Sequence, residues 1–204
     1  DLNLDPKRFP PRSVHGTISM AKNENVGPSQ FTEQAEQIFQ RKIGEVYVEY
    51  QKRLLQAGAM DFDDLLMRTA QLFHEHPDVL ASWRHRFGHV LVDEYQDTNP
   101  VQNDLVLQLA EEHRQVTVVG DSDQSVYAFR GADIRNILEF EEAFPDATVV
   151  VLEQNYRSTQ SILDAANAVI ARNVGRKPKE LWTDKGSGDK IVRYHADDES
   201  DEAQ

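Results

Sequence analysis

The chain has 204 residues, of which 39% are hydrophobic and 28% charged, and its formal net charge at pH 7 is −13. This length allows one ordinary domain or two small ones. The acidic balance argues against a protein that coats nucleic acid through bulk electrostatics, so any DNA contact must be local. The absence of cysteine excludes disulfides, thiolate zinc sites and cysteine nucleophiles.

The sequence also bears on where the protein works. No apolar run approaches the roughly 20 residues that cross a bilayer, and no basic-then-apolar leader opens the chain. We therefore expect a cytoplasmic protein without a membrane partner. The chain starts at Asp1 rather than Met and stops at Gln204, just after a predicted strand, so we expect an internal fragment of a larger protein.

Residues 1–84 predict a mainly helical region. They open with an irregular, proline-containing stretch and contain no convincing strand pattern. Apolar side chains then recur at helical spacing from Ile38 to Leu54 and again from Asp61 to His74.

From about His85 the pattern changes to alternating strands and helices, and the strands are rich in β-branched residues. The predicted strands are His89–Val92, Val116–Val119, Thr148–Leu152 and Lys190–Tyr194, and the predicted helices are Asn99–Glu112, Asp133–Ala143 and Ser158–Ala171. Asn99 and Pro100 supply an N-cap and a first-turn proline. This alternation is typical of a parallel sheet covered on both faces, in which ligands bind beyond the carboxyl ends of the strands.

An acidic pair follows the first predicted strand, in the block Val90-Leu-Val-Asp-Glu-Tyr-Gln-Asp-Thr-Asn99. A carboxylate at the tip of a buried strand is costly unless it has a ligand or partner. In nucleotide hydrolases the first acid holds Mg²⁺ and the second accepts a proton from the attacking water. The acidic pair alone would fit equally well as a cap on a neighbouring helix. The whole block is a more specific sign of a nucleotide site than the pair.

A second block, Val118-Val-Gly-Asp-Ser-Asp-Gln-Ser-Val-Tyr-Ala-Phe-Arg-Gly-Ala-Asp133, follows the next strand. Gln124 can hydrogen-bond a phosphate oxygen without adding charge. Tyr127 and Phe129 lie two residues apart, so in an extended loop they would share one face and could stack on unpaired bases. The alternative is that both rings pack into the core, although their polar neighbours, including Arg130, make this less attractive.

The third block is Leu152-Glu-Gln-Asn-Tyr-Arg-Ser158, at the end of the third predicted strand. An arginine there can reach a γ-phosphate and neutralise charge in the transition state. By itself the tetrapeptide Asn-Tyr-Arg-Ser would suit any surface loop; its order and spacing after the first two blocks make it informative.

Together the three blocks resemble motifs II, III and IV of superfamily 1A DNA helicases of the UvrD/PcrA/Rep family. Asp61-Phe-Asp-Asp-Leu-Leu66 resembles the segment that those proteins carry before motif II. The resemblance implies an α/β fold: a partial RecA-like parallel sheet of the P-loop NTPase type, preceded by a mainly helical subdomain. It divides the chain into a helical insertion (1–84), the second half of a first RecA-like domain (85–146) and the start of a second (147–204).

The resemblance also implies a nucleotide site for ATP and Mg²⁺. It assigns Asp93 to Mg²⁺ and Glu94 to activation of the attacking water. It places Gln124 and Arg157 on the γ-phosphate, with Tyr156 against the adenine.

For DNA, the resemblance places Tyr127 and Phe129 on the single strand, with Arg130 beside them. Phe129 stands where many relatives have Trp, so its stacking surface is smaller. Gln96 is expected to link the nucleotide state to this DNA-contacting loop.

The expected activity is that of the complete protein: ATP-driven movement along single-stranded DNA with 3′ to 5′ unwinding. It would act on single strands and junctions in repair or replication restart, with repair-protein partners and a nucleoid-associated location. The alternatives are the motor part of an AddA/RecB-type helicase–nuclease, or a DNA-binding scaffold that has lost hydrolysis. The printed sequence contains no Gly-x-x-x-x-Gly-Lys-Ser/Thr phosphate loop, so we expect these 204 residues alone to be inactive.

Overall fold

The structure is a computed structural model that describes residues 2–174 and 176–203. Its contacts divide the chain into two compact units, Asp1–Asp146 and Ala147–Gln204. The expected boundary near residue 84 remains a prediction.

The first unit begins with five helices. They are α1 (Pro11–Asn23), α2 (Pro28–Gln34), α3 (Ile38–Gln56), α4 (Phe62–Glu75) and α5 (Pro77–Arg86). Three of them start with proline, which lacks the N–H that a first helical turn leaves unpaired and has a helical φ already set. Asp61 caps α4 in a capping box, in which its carboxylate accepts from the amide of Asp64 at 2.8 Å. The predicted helical character of this region is confirmed.

An apolar cluster between α1 and α3 forms the core of the helical part. Its buried members are Val14, Ile18, Ala21, Ile43 and Tyr47. The spacing of these residues along each helix places them on one face, as the periodicity predicts.

A buried ionic cluster ties α1 to the start of α4. The ammonium group of Lys22 lies 2.7 Å from Asp61 Oδ2 and 3.0 Å from Asp64 Oδ1, and both Lys22 and Asp64 are fully buried. The Tyr50 hydroxyl, on α3, donates to Asp61 Oδ2 at 2.9 Å. Because the buried lysine has two carboxylate partners, the cost of removing its charge from water is offset.

The sheet of the first unit has two parallel strands, β1 (Val90–Val92) and β2 (Val116–Val118), paired in register from Val90 with Val116 to Val92 with Val118. Helix α6 (Pro100–Ala110) connects them, and Asn99 caps it through a 2.8 Å bond from the amide of Gln102. The first two predicted strands and the helix between them are confirmed.

The predicted helix Asp133–Ala143 is wrong as a single element. The structure has two short helices, α7 (Arg135–Leu138) and α8 (Phe140–Ala143), separated by Glu139 with φ −98° and ψ 6°. Phe140 after the break packs edge-on against the buried ring of Tyr95, at 5.6 Å between ring centres. Tertiary packing of this ring competes with a continuous helix.

The second unit contains α9 (Gln160–Ile170), as predicted, and the short α10 (Glu199–Glu202). The strands predicted at Thr148–Leu152 and Lys190–Tyr194 are not formed; among the described residues of this unit, the strand-like pairing is a parallel bridge between Gln154 and Trp182. A strand needs a hydrogen-bonded neighbour along its length, and the apolar residues 149–152 are exposed instead.

The described residues are therefore helical with a two-stranded parallel sheet, and they do not complete a RecA-like fold. None of the helices in residues 2–174 and 176–203 is long and apolar enough to span a bilayer.

Candidate functional site

The acidic pair lies where β1 ends, and a sharp backbone turn exposes it. Glu94 adopts the left-handed conformation, with φ 49° and ψ 44°, and both Asp93 and Glu94 are exposed. The next residue, Tyr95, is fully buried, and its amide donates to the carbonyl of Val119 at 3.0 Å. Burial raises the pKa of Tyr95 to about 12, so its hydroxyl stays protonated and donates to Asn103. This anchor holds the turn that presents the two carboxylates.

Gln96 joins the ends of the two strands. Its side chain is buried, and its Nε2 donates to Glu94 Oε2 at 2.8 Å. Its Oε1 accepts from the amide of Asp121, which follows β2, at 2.9 Å. One buried amide thus connects the acid after β1 with the loop after β2.

Gly120 makes this approach possible. A Cβ atom at this position would lie 2.5 Å from Gln96 Oε1, 2.8 Å from Ile137 Cδ1 and 3.1 Å from the amide nitrogen of Tyr95. A side chain at this position would force the ends of Gln96 and Ile137 to move, and glycine avoids this where the Gln96 side chain crosses the end of β2.

Asp121 carries the connection further along the loop. Its carboxylate caps the following turn, accepting from the amide of Asp123 through Oδ1 at 2.9 Å. Its other oxygen accepts from Gln124 Nε2 at 2.8 Å. Glu94, Gln96, Asp121 and Gln124 thus form one hydrogen-bonded series along the carboxyl edge of the sheet.

The two aromatic residues lie in a turn rather than in an extended loop, which corrects the geometry expected from their spacing. Residues Ala128–Arg130 form one turn of 3-10 helix. The rings of Tyr127 and Phe129 still meet, with centres 5.9 Å apart and planes at 40°. The guanidinium of Arg130 lies 5.2 Å from the centre of the Tyr127 ring and 5.4 Å from that of Phe129. We call Tyr127–Arg130 the aromatic turn.

The aromatic turn faces solvent. Phe129 is 75% exposed and Tyr127 39%. The alternative that both rings pack into the core is therefore wrong.

In the second unit, Asn155 shapes the segment that carries Tyr156 and Arg157. Its Oδ1 accepts from the amides of Arg157 at 2.9 Å and Ser158 at 2.8 Å. The Tyr156 ring is 74% exposed, and its hydroxyl donates to Gln154 Oε1 at 2.9 Å. This is an Asx turn next to the Gln154 bridge rather than the end of a five-residue strand.

The structure thus brings Asp93, Glu94, Gln96 and Gln124 together on one edge of the first unit. Sequence reasoning missed Asp121 and Asn155, whose carboxyl and amide oxygens order the two loops. The sequence carried a signal in both cases, because Asp121 and Asn155 follow predicted strands within three residues, and Asp and Asn are usual residues of such turns.

Asp93 is the residue that the resemblance assigns to Mg²⁺. Within residues 2–174 and 176–203, no three His, Cys, Asp or Glu side chains gather as a metal site. Mg²⁺ commonly keeps several waters and binds through one or two carboxylates together with substrate phosphates. The exposure of Asp93 at the strand end suits that mode.

Comparison with known proteins supports this interpretation of the motifs. Residues 1–145 match the family model of the UvrD/REP helicase N-terminal domain. The chain belongs to the UvrD/REP helicase family. Residues 150–204 match the model of the UvrD-like helicase C-terminal domain. The resemblance drawn from the three blocks is thereby confirmed.

Two relatives illustrate how similar this chain is to other members of the family. It is 54% identical to the ATP-dependent DNA helicase PcrA of Bacillus subtilis (strain 168), over 204 residues that are 100% of this chain and 28% of that protein. It is 51% identical over 215 residues to the ATP-dependent DNA helicase UvrD1 of Mycobacterium tuberculosis (strain ATCC 25618 / H37Rv), with the same coverage. The chain spans about 28% of the length of these relatives.

Proposed function

We propose that the complete protein is an ATP-dependent DNA helicase that moves along single-stranded DNA. The observation that carries the proposal is the hydrogen-bonded series from Glu94 through Gln96 and Asp121 to Gln124, which is followed directly by an exposed aromatic turn. Relatives about 50% identical are named ATP-dependent DNA helicases. We further propose 3′ to 5′ unwinding of junctions in repair or replication restart, with repair-protein partners and a nucleoid-associated location.

The nucleotide end of this arrangement uses polar groups at strand ends. Bound Mg²⁺ would neutralise charge on the phosphates, with Asp93 as its protein ligand. Glu94 would orient the attacking water and accept its proton. Gln124 and Arg157 would contact the γ-phosphate, and the exposed ring of Tyr156 would stack on the adenine.

The DNA end consists of the aromatic turn. Stacking on bases needs exposed rings, and Phe129 and Tyr127 have them. Arg130, beside both rings, would add one local positive charge for a phosphate. A chain with a net charge of −13 needs such local contacts, because its overall field repels DNA.

The coupling between the two ends follows from Gln96. Its amide has one contact to Glu94 and one to the loop that begins at Asp121, so a change at either end alters the hydrogen bonding at the other. A change in the nucleotide can then bias the position of the aromatic turn, since the loop has distinct contacts to gain or lose.

The test is Glu94→Gln in the complete protein, which keeps the shape of the side chain and removes the base. General-base catalysis typically contributes about 10²–10⁴-fold, so hydrolysis should fall by that order while ATP binding survives. Phosphate release with oligo(dT) and equilibrium binding of a fluorescent ATP analogue measure the two. Glu111→Gln is the matched control, because Glu111 is exposed and paired only at the surface with Arg84. Near-normal turnover by Glu94→Gln would remove Glu94 from this role.

A further inference from the structure

Asn23, the last residue of α1, lies at a junction of three parts of the first unit. Its Nδ2 donates to the carbonyl of Ser19 at 2.9 Å, within α1, and to Asp63 Oδ1 at 3.2 Å, on α4. Its Oδ1 accepts from Asn99 Nδ2 at 2.6 Å, across 76 residues of sequence. Neither the nucleotide site nor the aromatic turn includes Asn23.

Asn99 is held in one orientation by its own role as a cap. Its side-chain Oδ1 accepts from the backbone N–H of Gln102, and its backbone N–H donates to the side-chain Oε1 of Gln102 at 2.9 Å. Only its Nδ2 is left to point outward, and this is the group that meets Asn23. The contact therefore fixes the start of α6, directly after motif II, against the helical part.

The residues that follow the aromatic turn are hydrogen-bonded next to the Asn23–Asn99 contact. The carbonyl of Thr98, next to Asn99, accepts from the amide of Asp133 and from Asn136 Nδ2, both at 2.9 Å. Gly131, with φ 85°, closes the turn, and a Cβ there would lie 3.5 Å from Asn23 Cβ. The backbone that leaves the turn thus passes close to Asn23 and is bonded to the residue beside Asn99.

We propose that Asn23 is a positioning residue for DNA binding: it holds the aromatic turn at a fixed place relative to the carboxyl edge of the sheet. Its side chain acts through the hydrogen bond from Asn99, which lies next to the residue that binds the exit of the turn. The inference rests on the proposed function, because it assumes that the aromatic turn contacts single-stranded DNA. Loss of the Asn23 side chain allows the turn to shift, so that fewer molecules present both rings together.

The experiment compares Asn23→Ala with wild type in the complete protein. The dissociation constant for fluorescein-labelled oligo(dT) is measured together with the melting temperature. We expect the dissociation constant per folded molecule to rise about five- to tenfold, the size of one lost hydrogen bond. Thr17→Ala, on the same helix, removes a local hydrogen bond to Ser13 and should leave DNA affinity unchanged.

A pair of exchanged side chains separates positioning from simple destabilisation. Asn23→Asp keeps an acceptor for Asn99 but places a second carboxylate against Asp63, so DNA affinity should fall. Adding Asp63→Asn to it supplies a donor across the same contact, and affinity should return to within about twofold of wild type.

The outcomes are distinct. Unchanged affinity per folded Asn23→Ala molecule, or a folded exchanged pair that stays weak, overturns the role of Asn23 and leaves the proposed function intact. Wild-type protein that neither binds oligo(dT) nor is stimulated by it overturns the proposed function itself, and the role of Asn23 with it.

Discussion

Glu94 combines a strained backbone with an exposed carboxylate. The left-handed conformation costs a residue with a Cβ about 1–2 kcal/mol, and glycine would adopt it freely. The strain is tolerated because the two residues that follow are held in place: Tyr95 is buried, and Gln96 is hydrogen-bonded to Glu94 and to the amide of Asp121. A conformation of this kind at a strand end is a common feature of functional sites, since it aims a side chain where regular structure would not.

Phe129→Ala and Arg157→Ala should separate DNA binding from hydrolysis in the complete protein. Stacking on a base is worth about 1–3 kcal/mol, so Phe129→Ala should weaken single-strand binding roughly 5- to 150-fold and impair unwinding more than hydrolysis at saturating DNA. Arg157→Ala should do the reverse, reducing hydrolysis while leaving nucleotide-free DNA affinity largely intact. Oligo(dT) binding, phosphate release and melting temperature are measured on both.

The exposure of Phe129 makes this comparison sharp, because a ring that is 75% exposed contributes little to stability. A large drop in the melting temperature of Phe129→Ala, with DNA affinity per folded molecule unchanged, would contradict the stacking role.

Single residues differ in how far the sequence could predict them. Asp93, Glu94 and Gln124 follow strands, and position after a strand is visible in the sequence. The contacts of Gln96 and Asn23 cannot be predicted from the sequence in this way. Each contact depends on a partner at least 25 residues away, and tertiary packing brings that partner close.

At the scale of elements, local sequence signals for helix starts predicted the helix boundaries correctly where such signals were recognised. The predicted N-cap Asn99 gave the start of α6, and the helical spacing gave the start of α4 near Asp61; both are confirmed. The irregular stretch predicted at the start of the chain is wrong from Pro11 onward, because proline in the first turn is itself a start signal, as it is for α1 and α5. The strand predicted at 148–152 failed for a different reason, since β-propensity acts only when a neighbouring strand is present.

The buried ionic cluster should make the helical part sensitive to acid. Burial alone would raise the pKa of Asp61, but hydrogen bonds from Lys22, from the amide of Asp64 and from Tyr50 outweigh it and lower the pKa below its usual value of 3.8. A carboxyl whose pKa is lower in the folded protein than in the unfolded chain stabilises the fold at pH values above its unfolded-state pKa. This contribution is lost as the pH falls through the folded-state pKa. We therefore expect melting temperature to decline below about pH 4.

Asp61→Asn tests this directly. It should lower the free energy of unfolding at neutral pH by about 1.5–3 kcal/mol, the range for hydrogen bonds to charged groups, and flatten the decline below pH 4. Glu75→Gln, an exposed carboxyl at the other end of α4, is the control. Identical acid profiles for wild type and Asp61→Asn would show that the cluster does not govern acid stability.

For the whole molecule, the expected nucleotide contacts are spread along the chain, with Gln124 in the first unit and Arg157 in the second. What the 204 residues lack in sequence is the phosphate loop, whose backbone amides and lysine cradle the β- and γ-phosphates. Side chains that contact only the γ-phosphate cannot position a nucleotide for attack.

We therefore expect the 204-residue chain by itself to show no DNA-stimulated ATP hydrolysis. Phosphate release is measured with Mg²⁺ and oligo(dT), alongside the complete protein at equal concentration. Robust turnover by the shorter chain would mean that the cradle is dispensable and that the nucleotide is held in another way.

The unpaired segment Thr148–Leu152 has a consequence for handling and for biosynthesis. Four consecutive apolar residues, with Val150 72% exposed, combine high β-propensity with no charge. Such a run can pair edge to edge with the same run of another molecule and start aggregation. Asp146 and Glu153 flank the run, and their like charges disfavour such pairing between two copies.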